Sequence, residues 1–251
     1  MSSHLKIWSP LAFFLCNIAA VALYGSWLFE PTRELWDLLD NQVFYALNGS
    51  LQWGENWQRF WASANHRNTD IVIAIAMILF FMHFALTGGH RLILERVVLF
   101  FFMSAMILAT QEGLIDLYQA VIDVTRESPS LVLEPVYRLS LLVPDIKAKD
   151  ASGSCFPGDH GTVIFIWLAF VWVFAGWKHR IVALVMTVLI LLPRLVSGGH
   201  WITDNLVGSG TLVLLMMAWL VFSPVGFAVR WLGEKVLGFI LPKRWQRVPK
   251  F

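Results

Sequence analysis

Charge is what this chain has least of. Asp, Glu, Lys and Arg make up 14% of its 251 residues, against about 25% in an average soluble domain. Hydrophobic residues reach 57%, more apolar surface than a soluble fold could readily hide, whereas an integral membrane protein has no need to hide it. Cysteine is also scarce. Two residues, Cys16 and Cys155, exclude a disulfide framework, and both are expected as free thiols. No internal repeat, low-complexity tract or linker interrupts the chain, so one helical domain over residues 1–251 is expected. No small-residue cleavage site follows the first apolar run, where Trp27-Leu28-Phe29-Glu30 comes next; that run reads as a retained span rather than a signal peptide.

What is present is apolar runs. A span needs about 20 mostly apolar residues, and six segments approach this: 11–28, 71–86, 97–108, 162–177, 181–196 and 206–222. The predicted fold class is therefore an all-α integral membrane protein with six transmembrane helices. The third segment is the weakest, because Gln111, Glu112 and Asp116 follow closely. The polar segments 1–10, 88–96, 178–180 and 224–251 hold 11 of the 19 Lys and Arg but only 2 of the 17 acids. The positive-inside rule then puts both termini in the cytoplasm and the long loops, 29–70 and 112–160, outside. The net charge of +2 follows from topology and gives no reason to expect nucleic acid. In the first outer loop Trp53, Trp57 and Trp61 recur every four residues, which predicts a helix lying in the interface. The C-terminal stretch, about 225–251, alternates Trp231, Leu237 and Phe239 with Lys235, Lys243 and Arg244, a basic amphipathic tail suited to an anionic leaflet.

Two short stretches carry the chemistry. One reads Phe156-Pro157-Gly158-Asp159-His160-Gly161; the other joins Pro193-Arg194 to His200 and Asp204. All lie at span ends on the same predicted side. His200 and Asp204 are four apart, predicting one helix face, and a carboxylate can hold one histidine nitrogen so that the other attacks. Gly198 and Gly199 permit a tight turn before them. Arg194 offers a planar fork of donors for phosphate oxygens. His160 begins the fourth span, where free backbone N–H groups favour an anion. Upstream, Gln119 and Arg126 are seven apart, and Arg126 is a second candidate for phosphate. His83 stands alone within an apolar span and reads as packing, and His179 falls on the cytoplasmic side.

These motifs resemble the type-2 phosphatidic acid phosphatase superfamily, whose pattern runs Lys, six residues, Arg-Pro; then Pro-Ser-Gly-His; then Ser-Arg, five residues, His, three residues, Asp. Here Pro193 replaces the last serine, Gly158 and Asp159 replace the Ser-Gly pair, and Gln119 replaces the lysine. The run from Lys149 through Gly161, the segment from Gly199 to Asp204, Arg67 to Asp70, and Arg126 to Pro129 resemble one branch, the inner-membrane lipid A 1-phosphate phosphotransferases. The resemblance implies that His200 attacks the terminal phosphate of undecaprenyl diphosphate, giving a phosphohistidine. It implies that Asp204 orients the ring, that His160 protonates the departing undecaprenyl phosphate, and that Arg126 and Arg194 hold the equatorial oxygens. Gln119, Lys149, Gly158 and Asp159 complete the expected phosphate site, with Lys149 compensating for the lost lysine. The acceptor would be the 1-phosphate of lipid A, at a bacterial inner membrane, with the site facing the periplasm. No metal, cofactor, nucleic acid or obligate protein partner is expected.

Three rivals remain open at this point. A phosphatase would use the same site on undecaprenyl diphosphate or another lipid phosphate with water as acceptor. A metal-dependent hydrolase would use His160, His200 and Asp204 as ligands. A non-enzymatic lipid carrier would not need His200. The histidine mechanism predicts an activity that falls at low pH around the ordinary value of about 6.5.

Overall fold

The computed structural model describes residues 8–87 and 90–240. It is helical throughout, and the described residues include no sheet beyond an isolated bridge between His66 and Ala148. The helices are α1 Pro10–Leu28, α2 Glu30–Gly49, α3 Glu55–Ala64, α4 Arg67–Thr87, α5 His90–Ala109, α6 Ile115–Ile122, the short α7 Pro129–Val132 and α8 Leu139–Leu142, α9 Asp159–Phe174, α10 Trp177–Val196, α11 Gly210–Met216 and α12 Pro224–Ile240. Wider π turns, Thr110–Leu114, Asp204–Ser209 and Met217–Val221, join α5 to α6, lead into α11 and follow it.

Among the described residues, five helical stretches are long and apolar enough to cross a membrane: Pro10–Leu28, Arg67–Thr87, Glu95–Ile122, Trp177–Val196 and Asp204–Val221. The expected sixth, 162–177, is the shorter α9, 16 residues long. The weak third segment becomes the longest. Gly113, at φ 148°, takes up a kink that an L side chain would resist, and the helix continues past Gln111 and Glu112. Lipid replaces water as the solvent of the outer faces, so Leu11, Phe14, Ile18 and Val21 on α1 and Val185, Val188 and Leu189 on α10 remain exposed. The buried core lies where α1, α4, α5, α9 and α11 meet, around Phe81, Trp167, Phe170 and Met216. Trp27 stacks on Phe156 at 4.8 Å between ring centres, a contact of about 1 kcal/mol beyond its area. It ties the end of α1 to the loop that carries the second motif.

Residues 29–70 form no loop. α2 is a 20-residue amphipathic helix that buries Asp40, Phe44 and Asn48. The Asn48 side chain donates to the carbonyls of Tyr137 and Val196 and accepts from the Tyr137 N–H. α2 thereby joins the C-terminal end of α1 to that of α10. The expected tryptophan helix is also altered. Gly54, at φ 122°, breaks the chain between Trp53 and Trp57, so the three rings do not share one helix face. Trp53 stacks on Trp57, while Trp57 and Trp61 pack against a small second core of Leu51, Ala62, Leu139 and Val143. α3 thus roofs one end of the bundle together with the 129–150 loop.

α12 packs along α5, where a Cβ at Gly233 would stand 2.8 Å from a Val98 methyl. The rest of the expected tail, with Lys243, Arg244, Arg247 and Lys250, lies outside the described residues, as does most of segment 1–10. His83 is not alone: its Nδ1 lies 3.4 Å from Nε2 of His179.

Candidate active site

His200 does not sit on a helix with Asp204. α10 ends at Val196, Gly198 turns the chain at φ 72°, and the Gly199 N–H bonds back to the Arg194 carbonyl at 3.0 Å. His200 lies in the bend that follows. Asp204, three residues into the next helix, reaches back to accept the Trp201 N–H at 2.8 Å, the reciprocal half of a capping box. That contact carries its carboxylate to 3.3 Å from His200 Nδ1. Nδ1 also lies 3.0 Å from the Cys155 carbonyl. A carbonyl can only accept, so Nδ1 bears the hydrogen and Nε2 is the nitrogen left for chemistry. Nε2 faces the Asp159 carboxylate at 3.7 Å. Burial opposes a charged His200 ring, but the Asp159 and Asp204 carboxylates outweigh it and push its pKa from 6.5 up to about 9.

Asp159 stands between the two histidines. Its Oδ1 accepts the His160 backbone N–H at 2.8 Å and lies 2.8 Å from His160 Nδ1, while its Oδ2 is 3.9 Å from Lys149 Nζ. Lys149 is 60% exposed and reaches the site from the loop before α9. Gly158 caps α9; its N–H bonds the Asp204 backbone carbonyl at 3.1 Å. A Cβ at residue 158 would stand 2.5 Å from Asn205 Oδ1, so Asn205 fills the space in which the superfamily pattern carries a serine side chain. The Ser209 hydroxyl also donates to the Gly158 carbonyl, at 2.8 Å. These bonds pin the second motif to the start of the last span.

On the far side of His160, Nε2 lies 3.2 Å from Arg194 Nη2 and 3.4 Å from Asp70. Arg194 is buried and held by Asn65 Oδ1 at 2.5 Å and by Asp70 at 3.4 Å. Asn65 and Asp70 come from the α3–α4 junction; nothing in their spacing signals that they grip an arginine 124 or more residues away. Asp70, His160 and Arg194 form the polar rim of a cleft of about 300 Å³ whose walls include Ile73, Met77 and Ile107.

Arg126 and Gln119 are placed differently from Arg194. Gln119 donates to the Phe156 carbonyl at 2.7 Å, bracing the motif loop from behind. Arg126 donates to Asp40 at 2.7 Å, to Thr203 Oγ1 at 2.7 Å and to Asp204 Oδ1 at 3.3 Å, and lies over the Trp201 ring at 4.3 Å. Asp40, on the unforeseen helix α2, is the site residue the sequence hides most completely.

A cation finds poor ligands here. Cys155, His200 and Asp204 bring ligand atoms within 4.8 Å of one another. Both Asp204 oxygens are already engaged, by Arg126 and by the Trp201 N–H. Burial pushes the Cys155 thiol up, and the Asp204 charge adds to this, whereas a metal takes the thiolate. His160, the other ligand of the expected metal alternative, is committed to Asp159, Asp70 and Arg194.

Two histidines flank the Asp159 carboxylate, with the buried Arg194 beyond His160, an arrangement that could bind an anion and offer it a nucleophile and an acid. Comparison with known proteins agrees. The PAP2 superfamily profile matches residues 127–228, and the chain is 32% identical over 215 residues to lipid A 1-diphosphate synthase of Escherichia coli (strain K12), covering 84% of this chain and 87% of that protein. No solved structure matches it. The chain belongs to the PAP2 superfamily, a family of enzymes acting on lipid phosphates, and is a multi-pass membrane protein.

Proposed function

We propose that this enzyme transfers the terminal phosphate of undecaprenyl diphosphate to the 1-phosphate of lipid A through a phosphohistidine on His200. The observation that carries the reading is the fixed orientation of that ring: Nδ1–H is shared by the Cys155 carbonyl and Asp204, and Nε2 faces the anion position. In the first step Nε2 attacks the terminal phosphorus. The bond to the bridging oxygen breaks, its electron pair leaves with undecaprenyl phosphate, and His160 supplies the proton. In the second step an oxygen of the lipid A phosphate attacks phosphorus, the N–P bond breaks, its pair returns to the His200 ring, and the proton shed by the acceptor phosphate goes back to His160. Arg194, at the rim, holds the phosphoryl oxygens, and its fixed donors favour the charge that develops in transfer. Asp159 occupies the anion position in this structure; an entering phosphate takes its place, and the carboxylate turns toward Lys149.

The apolar cleft beside His160 seats the first isoprene units of the carrier, so the leaving oxygen lies against His160 Nε2. The similarity to lipid A 1-diphosphate synthase supports the acceptor. α9 serves as the sixth span, its 16 residues extended by the polar ends that carry the site. Both termini are cytoplasmic and the site faces the periplasm of a bacterial inner membrane.

The test is purified protein in detergent with undecaprenyl diphosphate labelled on its terminal phosphate, with and without lipid A. Transfer of label to lipid A, lost in His200→Ala, supports the reading. Label released only as free phosphate in the presence of lipid A would make the enzyme a carrier-lipid phosphatase with water as acceptor.

A further inference from the structure

Resting on the transfer reading above, we propose that Arg67 and Lys147 form a subsite for the second, non-reacting phosphate of the acceptor's sugar headgroup. Charge pairing singles them out. The four basic segments hold 11 of the 19 Lys and Arg and 2 of the 17 acids, which leaves 8 cations among 15 acids in the rest of the chain. Acids are in excess there, and Arg33, Arg59, Arg126, Arg138, Lys149 and Arg194 each pair with a carboxylate. Among the described residues, the two remaining cations, Arg67 and Lys147, are exposed and pair with none. The carboxylates nearest to them in sequence are taken: Asp70 by Arg194, and Asp145 by both terminal nitrogens of Arg59. Arg67 also opens α4, where the helix dipole repels a cation.

The fold brings these two cations together beside the reacting centre. His66 and Ala148 form an antiparallel bridge, and in antiparallel register residue 67 falls next to residue 147. On the other side of the bridge, Asn65 Nδ2 donates to the Lys149 carbonyl at 2.9 Å while Asn65 Oδ1 accepts from Arg194. Both cations are turned toward the site. Arg67 and Asp70 are three apart on α4 and so neighbours on one side of the helix, and Asp70 faces Arg194 and His160. Lys147 and Lys149 are two apart in an extended segment and so point the same way, and Lys149 points to Asp159. Lys147 stands about 7 Å further along the chain than Lys149, at 3.3 Å per residue.

This place suits a phosphorylated sugar better than the carrier. The carrier's charge ends at its diphosphate, which the reacting centre takes, and its chain is apolar. A lipid A headgroup carries a phosphate at each end of a disaccharide. With the 1-phosphate at His200, the other end must lie outside the reacting centre, where exposed cations on long side chains meet it. Arg67 offers a planar fork and Lys147 a point charge, both suited to phosphate oxygens. A contact remote from the reacting phosphorus is made equally before and during transfer, so it sets KM for the acceptor and not kcat.

The test uses Arg67→Gln, Lys147→Gln and the double variant in a neutral detergent, with labelled undecaprenyl diphosphate as donor. The acceptors are lipid A with both phosphates and lipid A with the 1-phosphate alone. Both side chains are exposed, so the variants should melt as the parent does. The expected result in the double variant is a KM for the two-phosphate acceptor higher by about tenfold, with kcat within about twofold. KM for the one-phosphate acceptor and the rate of phosphohistidine formation from donor alone stay as in the parent. Added salt should narrow the difference between the two acceptors in the parent, because exposed charges are screened. An unchanged KM for the two-phosphate acceptor, an equal rise for both acceptors, or slower phosphohistidine formation overturns the subsite. If the parent passes label to both acceptors and the variants do not separate them, only the subsite fails. If the parent passes label to neither acceptor, the transfer reading fails and this inference falls with it.

Discussion

On the proposed mechanism, the pH dependence of attack by His200 follows from the structure with a sign and a size. Attack needs the neutral ring. The Asp159 and Asp204 carboxylates push its pKa from 6.5 to about 9 in the substrate-free enzyme, so roughly 3% of the rings are neutral at a pH of about 7.5. On its acid side kcat/KM should therefore climb about tenfold per pH unit and level off near 9, not near 6.5. Asp159→Asn isolates the cause. The amide is isosteric and its oxygen still accepts from His160 Nδ1, but the carboxylate charge 3.7 Å from Nε2 is gone. The acid limb then moves to lower pH, and kcat/KM at neutral pH rises. The same linkage acts on stability. A group whose pKa is raised on folding stabilises the fold fully below its unfolded value of 6.5, and that contribution is lost as pH rises through about 9. The interval corresponds to roughly 3 kcal/mol at 1.36 kcal/mol per pH unit. Melting temperature in detergent should fall between 6.5 and about 9, and fall less in Asp159→Asn. The assay is transfer of labelled phosphate under kcat/KM conditions across that range, for parent and variant. Identical limbs in the two proteins, or a parent limb centred at 6.5, would refute the reasoning.

Other consequences are open to direct measurement. Asp204→Asn removes the charge opposite His200 Nδ1 and weakens the hold on the Trp201 N–H; turnover should drop by about a thousandfold or more, and a loss under tenfold would deny it an orienting role. Gly208→Ala places a Cβ 2.9 Å from Pro157 Cα, and the obstacle is backbone, so the motif loop must move; a destabilisation of about 1–3 kcal/mol with loss of activity is expected, and an unchanged melting temperature would contradict the packing. Ala74→Phe narrows the cleft beside His160; KM should rise for the polyprenyl substrate but not for a short-chain diphosphate, and equal effects on both would place the chain elsewhere.

The sequence by itself determined the class of the fold and nominated the candidate site. Long apolar runs force helices, because a backbone in lipid must bond within its own segment. The spacing of Arg194, His200 and Asp204 was enough to nominate the nucleophile and its partner, since those contacts are local. Local pattern also misled in places. His200 and Asp204 meet through a capping contact ahead of the helix, not on one helix face, and the tryptophans of the first outer loop are split by Gly54. What only the tertiary structure decided is who holds whom across the chain. Asp40 meets Arg126 and Thr203 from a helix that read as loop, because α2 is amphipathic rather than apolar and carries no span signal. Asn65 and Asp70 grip Arg194, Asn205 fills the space over Gly158, and Gln119 turns to the Phe156 carbonyl. Each joins residues distant in sequence, and no period or spacing along a chain encodes a contact that exists only once the helices have packed.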